Sequence, residues 1–323
     1  MSSTSFDVAV RRIAVTLVAA GLLACDRTPA SSRPGESTVV VMTTPEADSI
    51  ATIVTASGWD VTAGPFLVLP TVDGGMTAGS LLRPEATELT VGDTVGVGQS
   101  IAAGRLDLFS RSGRVGEARV RVESPPRVDP GCTAWPVARL VAADGAANLP
   151  NVNWTVAFAA GRATAIPLDS IEGMAPRDSA RLAADLTRLA SALPDDTSQT
   201  FRGLPFVVLR AYRSRGLDTT FVVATLARRV NQEDSPQEER LVIVVDAVGD
   251  DASRWNVAWK ERASGREEEL VVAEPLFAYR TTTNPETHLL FGRDDGVALG
   301  AAVLARGPRG WRVQWESAVA GCD

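Results

Sequence analysis

Histidine occurs once in these 323 residues, at position 288, and lysine once, at 260. A Ser-His-Asp triad could therefore run only through His288, and a zinc site would lack its usual ligands. Cysteine is nearly absent too, with Cys25, Cys132 and Cys322 the full complement, and none of them has a neighbouring base or ligand set. There is no glycine-rich phosphate loop of the Walker or dinucleotide type, so no nucleotide or other cofactor is expected. Beyond residue 24 no apolar run is long enough to cross a bilayer as a helix. Positive charge is also short: 39 acidic residues outweigh 32 basic ones, a net charge of −7, which argues against a nucleic-acid partner. Arginine carries nearly all of that positive charge, beside abundant alanine, and reads as compositional bias rather than as phosphate recognition.

What is present begins at the N-terminus. Arg11 and Arg12 form a positive region, Ile13 to Ala24 a mostly apolar stretch too short to span a membrane, and Leu22-Leu23-Ala24-Cys25 closes it. That order of charge, apolar run, small residue and cysteine resembles the lipobox signal of bacterial lipoproteins. The resemblance covers about the first tenth of the chain. It implies cleavage after residue 24, lipidation of Cys25, and attachment to a membrane through that lipid. Residues 26–37, rich in Pro and Ser, read as a polar tether. The implied location is the cell envelope, with the ectodomain in the periplasm or at the cell surface.

With Cys25 assigned to lipid, Cys132 and Cys322 remain as an even pair, and in an oxidising compartment a disulfide between them is the default expectation. In the chain-entropy view closing the loop of about 190 residues between them contributes about 5 kcal/mol by restricting the unfolded chain.

The expected fold class is α+β, mostly antiparallel β. Val39 to Val41 reads as a strand, and Thr44-Pro45-Glu46 opens a short helix to about Ala56, although the β-branched run from Ile50 pulls towards a strand. Short apolar runs at Phe66 to Leu69, Thr94 to Val97, Leu106 to Phe109 and Ala118 to Val122, separated by glycine turns, predict a small β domain over 38–123. Ser112-Gly113 predicts a hairpin turn within it. The proline-rich segment 124–131 is the expected junction, and 132–323 the larger α+β domain. There Leu182, Leu186, Leu189 and Leu193 recur at helical spacing between Pro176 and Pro194, predicting one main packed helix over 176–193. Strands are expected at Phe206 to Tyr212, Thr220 to Leu226, Leu241 to Val248, Trp255 to Trp259, Leu270 to Ala273, His288 to Phe291, Val297 to Leu304 and Trp311 to Trp315.

A pattern recurs in this second half: Trp154-Thr-Val156-Ala-Phe158, Trp255-Asn-Val257-Ala-Trp259 and Trp311-Arg-Val313-Gln-Trp315. In extended backbone, period two puts all three large side chains of each copy on one face. The last two copies each follow an apolar strand and a turn, so they read as related hairpins. Such stripes belong most often to a core. If exposed, Trp255, Trp259, Trp311 and Trp315 would form a binding surface for a glycan or a protein partner.

Catalytic readings are thin. Gly98-Gln99-Ser100-Ile101-Ala102 approaches a nucleophile elbow but lacks its last glycine. His288 reads as a strand-edge or surface residue. The pairs Asp195-Asp196, Asp250-Asp251 and Asp294-Asp295 sit beside turn residues, and the runs Gln237 to Arg240 and Arg266 to Glu269 read as charged loops. The leading functional expectation is thus a non-catalytic structural or binding protein of the envelope. The alternative is an envelope hydrolase acting on glycan through carboxylates that only the fold brings together.

Overall fold

The computed structural model describes residues 64–70, 76–80, 105–121, 132–133, 137–142, 155–194, 199–214, 220–230, 236–248, 251–266, 269–294, 296, 298–317 and 320–322, all within the unit Val39–Asp323. The expected elements at 39–41, 44–56 and 94–97, and the serine at 100, lie outside these residues.

Eighteen antiparallel strands and one α-helix are seen among the described residues. A six-stranded barrel is built from β1 (Phe66–Pro70), β2 (Met76–Ser80), β3 (Arg105–Ser110), β4 (Gly113–Arg121), β6 (Val137–Ala142) and β7 (Thr155–Ala159), in the order β1-β2-β6-β4-β3-β7. A five-stranded sheet has the order β13 (Asp251–Arg266), β12 (Gln237–Val248), β11 (Phe221–Val230), β10 (Val207–Ser214), β9 (Leu168–Ser170). A seven-stranded sheet runs β5 (Cys132–Thr133), β18 (Ala320–Cys322), β16 (Ala298–Gly307), β15 (Thr287–Asp294), β14 (Val272–Thr281), β8 (Ala163–Ile166), with β17 (Gly310–Glu316) also paired to β16. The helix α1 spans Pro176–Ala192.

The barrel departs from the expected division at 124–131. Strands β1 to β4 come from before that segment and β6 and β7 from after it, and β1 pairs directly with β7 to close the cylinder. The small β unit is therefore not confined to 38–123. In β7, Ala157 faces the barrel interior with Phe66, Leu106 and Leu108, while Val156 and Phe158 face outwards onto Phe277 and Tyr279 of the seven-stranded sheet. One strand of alternating side chains thus serves two cores.

Four layers follow from this alternation. The barrel packs on one face of the seven-stranded sheet, the five-stranded sheet on its other face through Phe221, Val223, Phe291 and Leu304, and α1 on the far face of the five-stranded sheet. The two middle layers have cover on both sides, which is why Phe221 to Ala227, apolar except for Thr225, is buried throughout. In α1, Pro176 at the first position needs no amide donor, Asp178 sits favourably in the first turn, and Leu182, Leu186 and Ala190 bury against Val222, Ala224, Leu241 and Ile243. Extended backbone at Leu193, ahead of Pro194, ends the helix. The β3–β4 turn falls where Ser112-Gly113 predicts it, with Gly113 at φ 130°, a conformation that side-chain-bearing residues rarely adopt.

The two tryptophan hairpins share a feature that period two does not reveal. In β12–β13 the partners step from Val244 opposite Trp259 to Val245 opposite Val257, leaving Ala258 as an extra residue. In β16–β17 they step from Val303 opposite Trp315 to Leu304 opposite Val313, leaving Gln314 extra. Each is a β-bulge, and one inserted residue reverses the facing of everything beyond it. Trp255 and Val257 accordingly pack on the α1 side, whereas Trp259 turns to the inter-sheet core, its ring 5.8 Å from Phe291. Trp311 lies between the two sheets, 5.1 Å from Phe221, and Trp315 faces the barrel side. In β7, where no bulge intervenes against β3, Val156 and Phe158 do share a face.

Candidate functional site

The expected aromatic surface does not form as one stripe. Trp311 and Trp315 are 7% and 5% exposed and belong to the core, and Trp259 is partly buried against the inter-sheet cluster. Of the four, Trp255 lines a surface cleft.

That cleft, about 140 Å³, lies between α1, β10 and β13 and is lined by Met174, Asp178, Arg181, Leu182, Asp185, Arg213 and Trp255. Its construction is local. Asp178, Arg181, Leu182 and Asp185 stand at i, i+3, i+4 and i+7, hence on one face of the helix. Leu182 is buried at its base, and the three charged residues rim it. Arg213, opposite Val222 on β11, and Trp255, opposite Ala247 on β12, rise from the sheet face that α1 covers. Asp185 also meets Arg188 at 3.0 Å on the surface. Arg181 and Arg213 form no ion pair among the described residues. The result is one aromatic wall, two guanidinium groups with open donor sites, and two carboxylates. It suits a ring with an apolar face, hydroxyls to donate to the carboxylates, and an anionic group for the arginines.

His288, the only imidazole, is elsewhere and buried: at 1% exposure it stacks on Tyr279, ring centroids 5.1 Å apart, between the barrel and the seven-stranded sheet. This corrects the surface placement expected for it, because β15 lies between β14 and β16 rather than at an edge. Burial pushes its pKa down, opposed by Glu286 and by hydrogen bonding, with Arg312 adding to the depression. Burial also holds the Tyr279 hydroxyl well above its usual range, so both rings are neutral packing elements.

The run Gln237 to Arg240 is another correction. It is the first part of β12 rather than a loop, and Glu238 and Glu239 are both fully buried. Glu239 accepts from Arg228 on β11 and, at 3.0 Å, from Arg262 on β13, while the Arg228 guanidinium lies 4.7 Å from the Phe206 ring centroid. Arg228 stands directly opposite Glu239 and Arg262 diagonally across from it, pairings that a reading of charge runs alone misses. Of the carboxylate pairs, Asp294 behaves as expected, exposed and accepting from the Gly296 amide at 2.8 Å in a turn. Asp195, Asp196, Asp250 and Asp295 lie outside the described residues, and the side chain of Asp251 is likewise not described.

The cysteines are placed by backbone register: Cys322 of β18 stands opposite Cys132 of β5. Residues directly opposed in an antiparallel pair have α-carbons about 4.5–5.5 Å apart, inside the range of about 4.4–6.8 Å that a disulfide spans. Cys25 lies outside the described residues. Among the described residues no cluster of His, Cys, Asp and Glu side chains is arranged to hold a metal ion, and no helix is long and apolar enough to cross a membrane.

Comparison with known proteins finds no matching family model, no similar curated protein and no similar solved structure.

Proposed function

We propose that this chain is an exported lipoprotein, anchored to the membrane through lipid on Cys25, whose ectodomain binds an acidic glycan of the cell envelope in the cleft beside α1. The observation that carries the binding half is the meeting of Trp255 with Arg181, Arg213, Asp178 and Asp185 in one hollow. An indole face stacks on the apolar side of a sugar ring, carboxylates accept from its hydroxyls, and guanidinium groups clamp a carboxylate or phosphate substituent. At about 140 Å³ the cleft is smaller than drug-sized sites of about 300–1,000 Å³, so it takes one ring of a longer chain.

The export half rests on the Leu22-Leu23-Ala24-Cys25 ending, supported by the register that opposes Cys132 and Cys322. We take these two as the disulfide of an oxidising compartment.

Hydrolysis is the weaker reading of the same cleft. Asp178 and Asp185 are rooted about 10 Å from each other along α1, and Asp185 is already engaged by Arg188 at 3.0 Å.

Calorimetric titration of the purified chain with soluble cell-wall glycan fragments tests the binding. Saturable binding lost in both Trp255→Ala and Arg181→Ala is expected. Binding untouched by either change, or turnover of the fragments abolished by Asp178→Asn, would replace this reading. Incorporation of labelled palmitate, abolished by Cys25→Ala, tests the anchor.

A further inference from the structure

We infer that the outer edge of β10 is a docking edge for an extended, acidic peptide strand, separate from the cleft beside α1. β10 pairs along its length with β11, but on its other side β9 reaches only Tyr212, Arg213 and Ser214. From Val207 to Arg210, no described strand takes up the outward backbone amides and carbonyls. An open edge of this kind is a template for strand addition.

The side chains on this segment match that use. Val207 is 61% exposed and Leu209 39%, unlike the buried residues further along the strand at Ala211 and Tyr212. The register shift between Val208 and Arg210 makes Leu209 the extra residue of a bulge and sets it at a hollow of about 340 Å³, shared with Arg210, Arg240, Ala273 and Glu274 where the two sheets part.

Charge gives the partner its sign. Glu274 on β14 is shared by two arginines, Arg111 from the β3–β4 turn at 2.5 Å and Arg210 at 2.9 Å, so one carboxylate faces two guanidinium groups. Arg111 is further held by the Tyr212 hydroxyl and lies over that ring, 4.5 Å from its centroid. Arg210 keeps 61% of its side chain exposed, while Arg240, which also lines the hollow, is paired with the buried Glu238, so the unbalanced charge comes from Arg111 and Arg210 around one carboxylate. In a chain of net charge −7 this local excess of positive charge beside exposed Val207 and Leu209 fits alternating acidic and apolar side chains on an added strand.

The test uses the full chain and three capped nine-residue peptides: one alternating Glu and Val, one alternating Lys and Val, and the first again with every second amide N-methylated. Calorimetry gives affinity, and amide hydrogen exchange locates the site. The Glu/Val peptide is expected to bind and to protect amides within Val207–Arg210. The Lys/Val and N-methylated peptides should bind at least about tenfold more weakly, and Arg210→Ala should lower affinity about five- to tenfold. Trp255→Ala should leave binding intact, so this edge stands or falls apart from the glycan cleft. Equal binding of the N-methylated or lysine peptide, protection elsewhere, no binding of the Glu/Val peptide, or self-association of the chain through β10 would overturn the inference.

Discussion

The hairpins β12–β13 and β16–β17 carry the same Trp-x-Val-x-Trp pattern and the same bulge before the last tryptophan, yet their first tryptophans have different surroundings. Trp311 sits between two sheets, stacked edge-on against Phe221 with its indole nitrogen donating to Asp246 at 3.1 Å. Trp255 is on the helix side of the five-stranded sheet, half covered by α1 and open to a cleft. Local sequence sets the hairpin and its bulge. Position in the layer stack decides whether the same indole is core or surface, because the space between the two sheets is filled, whereas α1 leaves a cleft open beside Trp255 on the far face of the five-stranded sheet.

The sharpest way to separate the hairpins is to truncate their first tryptophans: Trp311→Ala should cost about 3–5 kcal/mol in urea unfolding. Deleting Gln314 should cost less, because regular pairing beyond Val313 and Leu304 leaves the last tryptophan opposite Val303 and on the barrel side; a loss as large as that of Trp311→Ala would mean that the bulge itself holds Trp315 in place. Trp255→Ala, only partly buried, should cost about 1 kcal/mol and remove glycan binding instead.

Acid should also tell the hairpins apart. His288 lies beside Arg312 and Gln314 of the second hairpin, stacks on Tyr279 and has Glu286 nearby, and burial lowers its pKa. The folded protein therefore binds fewer protons than the unfolded chain between the lowered value and about 6.5. Stability should be full above that upper limit and fall as pH drops through this window. His288→Gln should flatten the histidine part of that slope, and hydrogen exchange in acid should loosen β15–β17 before β12–β13. The smallest effect belongs to Val207→Ser, which should change stability by no more than about 0.5 kcal/mol, being exposed already.

Much of this fold was legible where one period governs. Leu182 and Leu186 announced α1 and its buried face, and strand centres such as Phe221 to Leu226 stood out as apolar runs. The bulges were hidden because Ala258 and Gln314 occupy places that ordinary small or polar alternating residues would also occupy. β12 extends back to Gln237 because its charges are neutralised by residues on neighbouring strands, Arg228 and Arg262 among them, which no local pattern shows. For the cleft, the spacing of Asp178, Arg181 and Asp185 was readable as one helix face. Arg213 and Trp255 joined it only through pairing across the sheet.

The union of β1 with β7 also fixes an order of events in time. Phe66 meets Ala157 about 90 residues later in the chain, so the cylinder cannot shut until the segment 155–159 has been made. During vectorial synthesis, strands β1 to β4 must wait with a bare edge, and the closure entropy of that long loop is lost before the contacts that reward it. A chain truncated before residue 155 is then expected to leave the barrel open, prone to pair with a neighbour through β1.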